Sequence, residues 1–332
     1  MIKLPLVSVI VPNFNHAIFL ERRLESIFNQ SYYNIEVILL DDCSTDNSRQ
    51  ILSNYAKNPK VSHCIFNEIN SGNTFIQWHK GIQLAKGDFI WIAESDDHCE
   101  PNFIEELIKP LIEDVSIVLS YSQSNKMNEL DEITGSWLDY TLNLDDSAFD
   151  KKNVMDGNIF VEKFLIYKNV IPNASAVIFR FKNDFQAEYI TTDKELRYCG
   201  DWIFYFKVLL NNKVAFTPKK LNNFRYHNKS VIAKALKADD KMRLLNLDLV
   251  MRSNMNDFLY SKKPFNYLNI AAVNTKIIRE IKYNKALLLF KSKEYSKWFG
   301  YLIMIPGTFI TKNKYFRRFK RRLFLYLKLN DK

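Results

Sequence analysis

The N-terminal third of the chain alternates short apolar, β-branched runs with segments of helical spacing, and this alternation restricts the fold more than any other feature. Residues 6–11, 35–40, 61–66 and 88–93 are predicted strands. The spacing of apolar residues predicts helices at 16–29, 46–56 and 74–85, and a fourth helix from Pro101. Strand–helix alternation is typical of a parallel sheet covered by helices on both faces. We therefore predict an α/β, Rossmann-like fold with a mostly parallel sheet.

The rest of the chain is less regular and suggests further subdivision. Residues 117–121 and 174–179 read as additional strands, and from about residue 231 the sequence is helical and rich in lysine. We predict three parts: residues 1–115, residues 116–230, and a C-terminal helical extension over residues 231–332.

Charge and composition exclude several classes of protein. The net charge is +10, but residues 311–332 alone hold nine Lys or Arg and one Asp, so the remaining body is close to neutral. A uniformly basic nucleic-acid-binding protein is therefore not expected, and no nucleic acid is predicted as a partner. The four cysteines have no zinc-site spacing, and no signal peptide or membrane span is apparent. These features favour a cytoplasmic location.

Polar clusters follow three of the predicted strands, at residues 12–15, 41–46 and 94–97. Parallel α/β sheets bind ligands beyond the carboxyl ends of their strands, where these clusters should converge. Several carboxylates packed together are costly unless a cation offsets them, and Mg²⁺ or Mn²⁺ prefers such oxygens. The competing interpretation is that these acids cap the helices that follow, as Asp46 is expected to do. Glycine-rich dinucleotide and P-loop motifs are absent from the sequence.

Several segments, taken in order, resemble the opening of family 2 glycosyltransferases, which have a GT-A fold. They are VSVIVPNFN (7–15), SIFNQSY (26–32), EVILLDDCSTD (36–46), NSG (70–72), GI (81–82), AKGD (85–88) and ESDD (94–97). The resemblance covers roughly residues 5–230. It departs from the usual pattern in having Glu94 for Asp, Cys43 for Gly and Gly200 for an acid, and in lacking an Arg within residues 73–80.

The resemblance also implies roles for individual residues. Donor-binding positions would be Pro12, Asn15, Asp41, Asp42, Asn70, Gly72, Glu94, Ser95 and Arg225. Metal ligands for Mn²⁺ or Mg²⁺ would be Asp96, Asp97 and His227, and acceptor-binding positions would be Asn173, Ser175 and Trp202. Asp201 would be the catalytic base, because a weakly nucleophilic sugar hydroxyl needs a carboxylate to take its proton. Without the resemblance, Asp201 also reads as a helix cap and His227 as a structural residue.

The implied function is an inverting, metal-dependent transfer of one sugar from a nucleoside-diphosphate sugar, expected to be a UDP-sugar. The acceptor would be a hydroxyl of a glycan or lipid-linked molecule in cell-surface polysaccharide synthesis. The QxxRW element of processive synthases is absent, which favours one transfer per event. Two alternatives remain: a nucleotide-sugar-binding protein with impaired catalysis, and a metal-dependent nucleotidyltransferase.

The C-terminal tail interleaves basic and aromatic residues from Lys312 to Arg322, after an apolar stretch at 298–310. Such a pattern suits an anionic membrane surface, so we predict peripheral association with the inner face of the cell membrane. A solvated helix packed on the body and a nucleic-acid-binding tail are the alternatives. The sequence does not indicate an oligomeric state.

Overall fold

The computed structural model describes residues 4–141, 144, 148–181, 189–226 and 241–312. The chain forms two compact units. Unit 1 comprises Met1–Lys237 with Tyr260–Tyr267, and unit 2 comprises Ala238–Leu259 with Leu268–Lys332.

Unit 1 is built on a single ten-stranded sheet. Its strands are β1 (Val7–Asn13), β2 (Ile35–Asp41), β3 (Val61–Phe66), β4 (Phe89–Ile92), β5 (His98–Cys99), β6 (Ile117–Met127), β7 (Ile133–Ser136), β8 (Asn153–Asp156), β9 (Val177–Arg180) and β10 (Lys213–Arg225). The main path runs β3-β2-β1-β4-β9-β6-β10-β5, while β7 pairs with β6 and β8 with β10.

The first four strands are parallel neighbours, with Val7 opposite both Ile35 of β2 and Phe89 of β4. Strand β9 then runs antiparallel between β4 and β6. β6 and β10 are parallel to each other. The sheet is thus parallel in its N-terminal half and mixed beyond it, which confirms the predicted α/β architecture.

Helices cover the sheet. In unit 1 they are α1 (Ala17–Phe28), α2 (Ser48–Tyr55), α3 (Thr74–Leu84), α4 (Phe103–Glu113), α5 (Leu138–Thr141), α6 (Gly157–Phe160) and α7 (Gly200–Leu209). A π-helical turn, Val161–Leu165, extends α6, and the 3₁₀ turn Ala174–Ala176 precedes β9. Helix α4 begins two residues later than predicted, because the Pro101 carbonyl accepts a hydrogen bond from Ser31 N–H (2.8 Å).

Strands β1, β2 and β4 are buried along their whole length, which explains their nearly continuous apolar sequences. Their side chains form a core with apolar residues of α1, α2 and α4. The carboxyl ends of these three strands therefore lie on a rigid base, and the polar clusters that follow them emerge at one edge of the sheet.

Unit 2 consists of helices α8 (Lys241–Lys262, of which the last residues belong to unit 1), α9 (Tyr267–Lys291), α10 (Tyr295–Met304) and α11 (Pro306–Lys312). α10 and α11 bury none of their residues. In the described part of the chain, no helix has both the length and the apolarity needed to cross a membrane.

Candidate active site

A cleft opens at the carboxyl ends of β1, β2 and β4. Seven residues predicted to bind the donor or metal line it: Pro12, Asp42, Asn70, Gly72, Glu94, Ser95 and Asp96. The sequence analysis did not single out Asn13, Phe14, His16, Thr74, Gln77 or Arg197, which also line the cleft. The parallel strands thus bring residues from distant parts of the sequence to one place.

One wall of the cleft is organised by the carboxylate of Asp42. Its Oδ1 accepts hydrogen bonds from Asn67 Nδ2 (2.8 Å) and Gln77 Nε2 (2.9 Å), and its Oδ2 accepts one from Ser71 Oγ (2.7 Å). The backbone N–H of Ser71 donates to both oxygens. Asp42 therefore holds the loop that carries Asn70. The lone pairs of its carboxylate oxygens are largely occupied by these hydrogen bonds.

Two buried amide oxygens at this cleft have no hydrogen-bond partner among the described residues: Asn13 Oδ1 and Gln77 Oε1. Both residues are 2% exposed and line the cleft. Buried polar atoms in folded proteins nearly always have a hydrogen-bond partner. Two acceptors without one therefore fit a ligand that brings hydrogen-bond donors.

Asp41 and Asn15 lie outside the lining of the cleft. Asp41 is fully buried and accepts hydrogen bonds from Asn13 Nδ2 (2.9 Å) and Ser44 N–H (2.9 Å). Asn15 joins two loops, since its N–H donates to Ser44 Oγ and its Oδ1 accepts from Thr45 N–H. Both side chains therefore position the loops around the cleft, and their predicted donor contacts stay predictions. Phe14 supplies the exposed aromatic surface beside Pro12.

The backbone conformation at Cys43 accounts for the glycine that family 2 glycosyltransferases usually have at this position. It follows Asp42 with φ of 65°, in the left-handed region that disfavours residues with a side chain. Its Sγ donates to the Glu68 carbonyl (3.2 Å). The tight turn after β2 is thus kept with a cysteine in a strained conformation.

The acidic loop, residues 94–97, carries closely spaced carboxylates. Burial, and next the nearby charge of Asp96, raise the pKa of Glu94 to about 8. Trp78 Nε1 donates to Glu94 Oε1 (2.8 Å) and fixes that side chain. A fully buried guanidinium, Arg23, lies under the loop, stacks on Trp91 (4.8 Å) and partly offsets this negative charge.

Asp97 turns inward, away from the cleft. Its side chain is 2% exposed, and burial followed by the charge of Asp96 raises its pKa. Asn173 Nδ2 donates to Oδ2 (2.5 Å), and the backbone N–H of Arg225 donates to Oδ1 (2.9 Å). Asp97 thus anchors the loop, while Glu94 and Asp96 face the cleft. The predicted metal contact of Asp97 stays a prediction.

Arg225 is likewise a structural residue here. Its side chain is 1% exposed, and its Nε donates to the Asp96 carbonyl (2.7 Å) while Nη1 donates to the Asn128 carbonyl (2.8 Å). Nη2 forms an ion pair with Asp131. Every guanidinium nitrogen is therefore engaged, and Arg225 ties the end of β10 to the acidic loop. Its predicted contact with the donor stays a prediction. His227 lies outside the described residues.

Two of the predicted acceptor residues are also buried behind the loop. Asn173 is 8% exposed and Ser175 is fully buried. Ser175 Oγ accepts a hydrogen bond from Glu94 N–H (3.1 Å), and Asn222 Nδ2 donates to Asn173 Oδ1 (3.1 Å). Both side chains thus support the acidic loop, and their predicted contact with an acceptor stays a prediction.

Asp201 stands in the first turn of α7, beside the cleft rather than in its lining. Its carboxylate accepts hydrogen bonds from Asn169 Nδ2 (3.0 Å) and Trp202 N–H (2.7 Å). Burial raises its pKa from 3.8 to about 6. After burial, the charges of Asp201 and then Glu94 raise the pKa of the Tyr205 phenol, so both carboxylates lie near one hydroxyl group.

The start of α7 is packed against the first turn of α3. A Cβ at Gly200 would lie 2.3 Å from Cε2 of Phe75, so a side chain cannot stand where the family usually has an acid. Phe75 adjoins Thr74, which lines the cleft. Trp202, the third predicted acceptor residue, is partly buried and its indole N–H donates to the Leu165 carbonyl (2.7 Å).

Among the described residues, no three His, Cys, Asp or Glu side chains gather as a metal-binding cluster. The cleft does present two carboxylates, from Glu94 and Asp96. Mg²⁺ is commonly held by one or two carboxylates together with substrate phosphates and water. The donor set therefore fits a divalent cation that binds together with a phosphorylated ligand.

Comparison with known proteins agrees with this geometry. The model for Glycosyl transferase family 2 matches residues 8–167. The matched segment, just under half of the chain, is therefore similar to members of this family. The matched part contains every predicted cleft-lining residue, from Pro12 to Asp96.

Curated proteins similar to this chain include the glycosyltransferase GlyG of Streptococcus pneumoniae, 38% identical over 34% of this chain and 38% of that protein. The alignment thus spans well under half of GlyG. The GalNAc(5)-diNAcBac-PP-undecaprenol beta-1,3-glucosyltransferase of Campylobacter jejuni is 24% identical over 84% of this chain and 85% of that protein.

The fold is that of the GT-A glycosyltransferases. The crystal structure of S. aureus TarS 1-349 in complex with UDP-GlcNAc has a TM-score of 0.60 and covers 89% of this chain and 79% of that one. The two sequences are 17% identical, so this likeness concerns the fold.

Proposed function

We propose that the protein is an inverting glycosyltransferase that moves one sugar from a nucleoside-diphosphate sugar, a UDP-sugar, to a hydroxyl group in cell-surface polysaccharide synthesis. The observation that carries the proposal is the cleft in which unpaired amide acceptors, an acidic loop and the nearby Asp201 come together. The TarS structure holds UDP-GlcNAc, and the Campylobacter relative is named for a polyprenol-linked acceptor.

Asp201 is the proposed base. Its hydrogen bonds from Asn169 and Trp202 hold the carboxylate in one orientation beside the cleft. The acceptor O–H gives its proton to Asp201 as its oxygen forms a bond to the anomeric carbon. The bond from that carbon to the diphosphate breaks on the opposite face, and the nucleoside diphosphate leaves with the electron pair.

Glu94 and Asp96 are the proposed holders of a divalent cation, Mn²⁺ or Mg²⁺. When bound, such a cation supplies positive charge beside the diphosphate. The chain's own part is to position these carboxylates: Trp78 orients Glu94, while Asp97 and Arg225 secure the loop from behind.

A panel of nucleotide sugars tests this function. With Mn²⁺, we expect at least one UDP-sugar to raise the melting temperature and to be slowly hydrolysed, with both effects removed by EDTA. Asp96→Asn should abolish the metal dependence, whereas Lys57→Gln, on the exposed turn after α2, should behave as wild type.

The two alternatives give different results in the same panel. A nucleotide-sugar-binding protein without catalysis would be stabilised by the donor but would not hydrolyse it. A nucleotidyltransferase would instead consume a nucleoside triphosphate and release pyrophosphate. Absence of any response to nucleotide sugars would contradict the proposal.

We also propose a peripheral location at the inner membrane face, through unit 2. Helix α10 leaves Phe299, Ile303 and Met304 more than half exposed, although helices of soluble proteins normally bury such side chains. The sequence that follows is strongly basic. An apolar helix face next to basic residues suits an anionic lipid surface. The basic segment after Lys312 lies outside the described residues.

A further inference from the structure

The segment from Thr191 to Cys199 crosses the rim of the cleft just before α7. Asn73, which is 3% exposed, donates from Nδ2 to the carbonyls of Thr192 (3.2 Å) and Asp193 (3.3 Å). Leu196 is buried and secures the segment from its other side. The residues that precede Asp201 are therefore attached directly to the loop that forms the donor cleft.

The cleft is acidic, and the rim segment contributes the balancing charge. Among the described residues that line it, three are acids, Asp42, Glu94 and Asp96, and Arg197 is the one Lys or Arg. Arg197 is exposed and makes no hydrogen bond or ion pair within the part of the chain that the structure describes. Arg225, the other arginine near the acidic loop, has all its nitrogens engaged.

We infer that Arg197 binds the diphosphate of the donor. A guanidinium matches phosphate oxygens with paired hydrogen bonds, and this one has no intramolecular partner to give up. Arg197 stands four residues before Asp201. Contact with the diphosphate therefore also fixes the start of α7, and so couples donor binding to the placement of the base. This inference rests on the proposed function.

The test compares Arg197→Gln and Arg197→Lys with Lys57→Gln, which removes one positive charge from an exposed site outside the cleft lining. UDP is titrated calorimetrically with Mn²⁺, and uridine binding is followed by saturation-transfer NMR. We expect Arg197→Gln to weaken UDP binding roughly 10- to 100-fold, the size of a lost charged hydrogen bond, and to leave uridine binding unchanged. Arg197→Lys should lie between, and Lys57→Gln should match wild type.

Two results would overturn the inference. One is equal UDP affinity in Arg197→Gln and wild type; the other is an equal loss for uridine, which would mean that the rim segment had collapsed. Failure of the proposed function is distinguishable, because the wild-type protein itself would then bind no nucleoside diphosphate in the panel, UDP, GDP, CDP and ADP included.

Discussion

At the residue scale, burial of Asp201 changes the pKa of its carboxyl group. The carboxylate is desolvated at the start of α7, and its two hydrogen-bond donors offset only part of that cost. Its pKa of about 6 leaves it ionised at neutral pH yet basic enough to take a proton.

We expect Asp201→Asn to lower transfer by roughly 10²- to 10⁴-fold while leaving donor affinity unchanged, because the amide cannot accept the proton. In the wild type, kcat/KM should fall as pH drops through about 6, the pKa of this group. Both are measured by steady-state assays across pH. Wild-type-like turnover by Asp201→Asn would contradict the assignment of the base.

The same residue predicts a stability effect of opposite sign. A folded-state pKa raised from 3.8 to about 6 means that ionisation opposes folding. The protonated Asp201 carboxyl contributes its full stabilisation below the pKa of the unfolded chain. This stabilisation is lost as the pH rises through the pKa of the folded protein. Asp201→Asn should therefore unfold at the same or a higher denaturant concentration than wild type at pH 7, with little difference at pH 4.

At the element scale, the acidic loop depends on β10, a strand 13 residues long that the sequence analysis did not predict. Its end carries Arg225, which binds the Asp96 carbonyl and pairs with Asp131. The loop is therefore placed by a strand distant in sequence.

We expect Arg225→Met to destabilise the protein by about 1–3 kcal/mol, because the Asp96 and Asn128 carbonyls lose their buried donor, whereas Asp131 keeps its ion pair with Arg22. Chemical denaturation measures this change. Lys219→Met on the same strand removes only an exposed pair with Glu106 and should cost at most about 1 kcal/mol. If Arg225 instead bound phosphate, its variant would keep full stability and lose donor affinity.

The elements that sequence predicted well are the buried parallel strands. β1 and β2 were predicted within two residues, because strands buried on both faces are continuously apolar. β3 is an edge strand and only partly buried, yet its short β-branched run was predicted at the observed bounds. β10 contains Pro218, Lys219, Lys220, Asn222 and Asn223. The strand is interrupted by register shifts, and some of its polar side chains support the acidic loop. It therefore lacks the apolar or alternating pattern by which strands are recognised.

At the scale of the whole molecule, the proposed membrane location depends on unit 2. Its helix α10 has an apolar sequence but buries none of its residues. The cost of leaving Phe299 and Ile303 in water is removed if this face enters a lipid surface.

We expect Phe299→Ser combined with Ile303→Ser to reduce co-sedimentation with anionic vesicles by at least about 10-fold, since each side chain loses apolar transfer energy. Folding should be unaffected because both positions are exposed. Ile69→Ser, at an exposed position in unit 1, is the matched control. Equal vesicle binding by all three proteins would exclude this surface as the membrane contact.

The sequence alone determined the α/β class, the edge of the sheet at which the cleft opens and half of the residues lining the cleft. These residues lie at or shortly after the ends of strands, so the position of each strand places them. Only the tertiary structure separated the side chains that face the cleft from those behind it. Asp41, Asp97 and Arg225 carry the charges expected of ligand contacts, but each is held by buried partners from distant elements. Arg197 became a candidate for the opposite reason: it lines the cleft together with three acids and forms no hydrogen bond or ion pair within the described part of the chain. Burial and hydrogen-bond partners depend on long-range contacts, which local sequence does not encode.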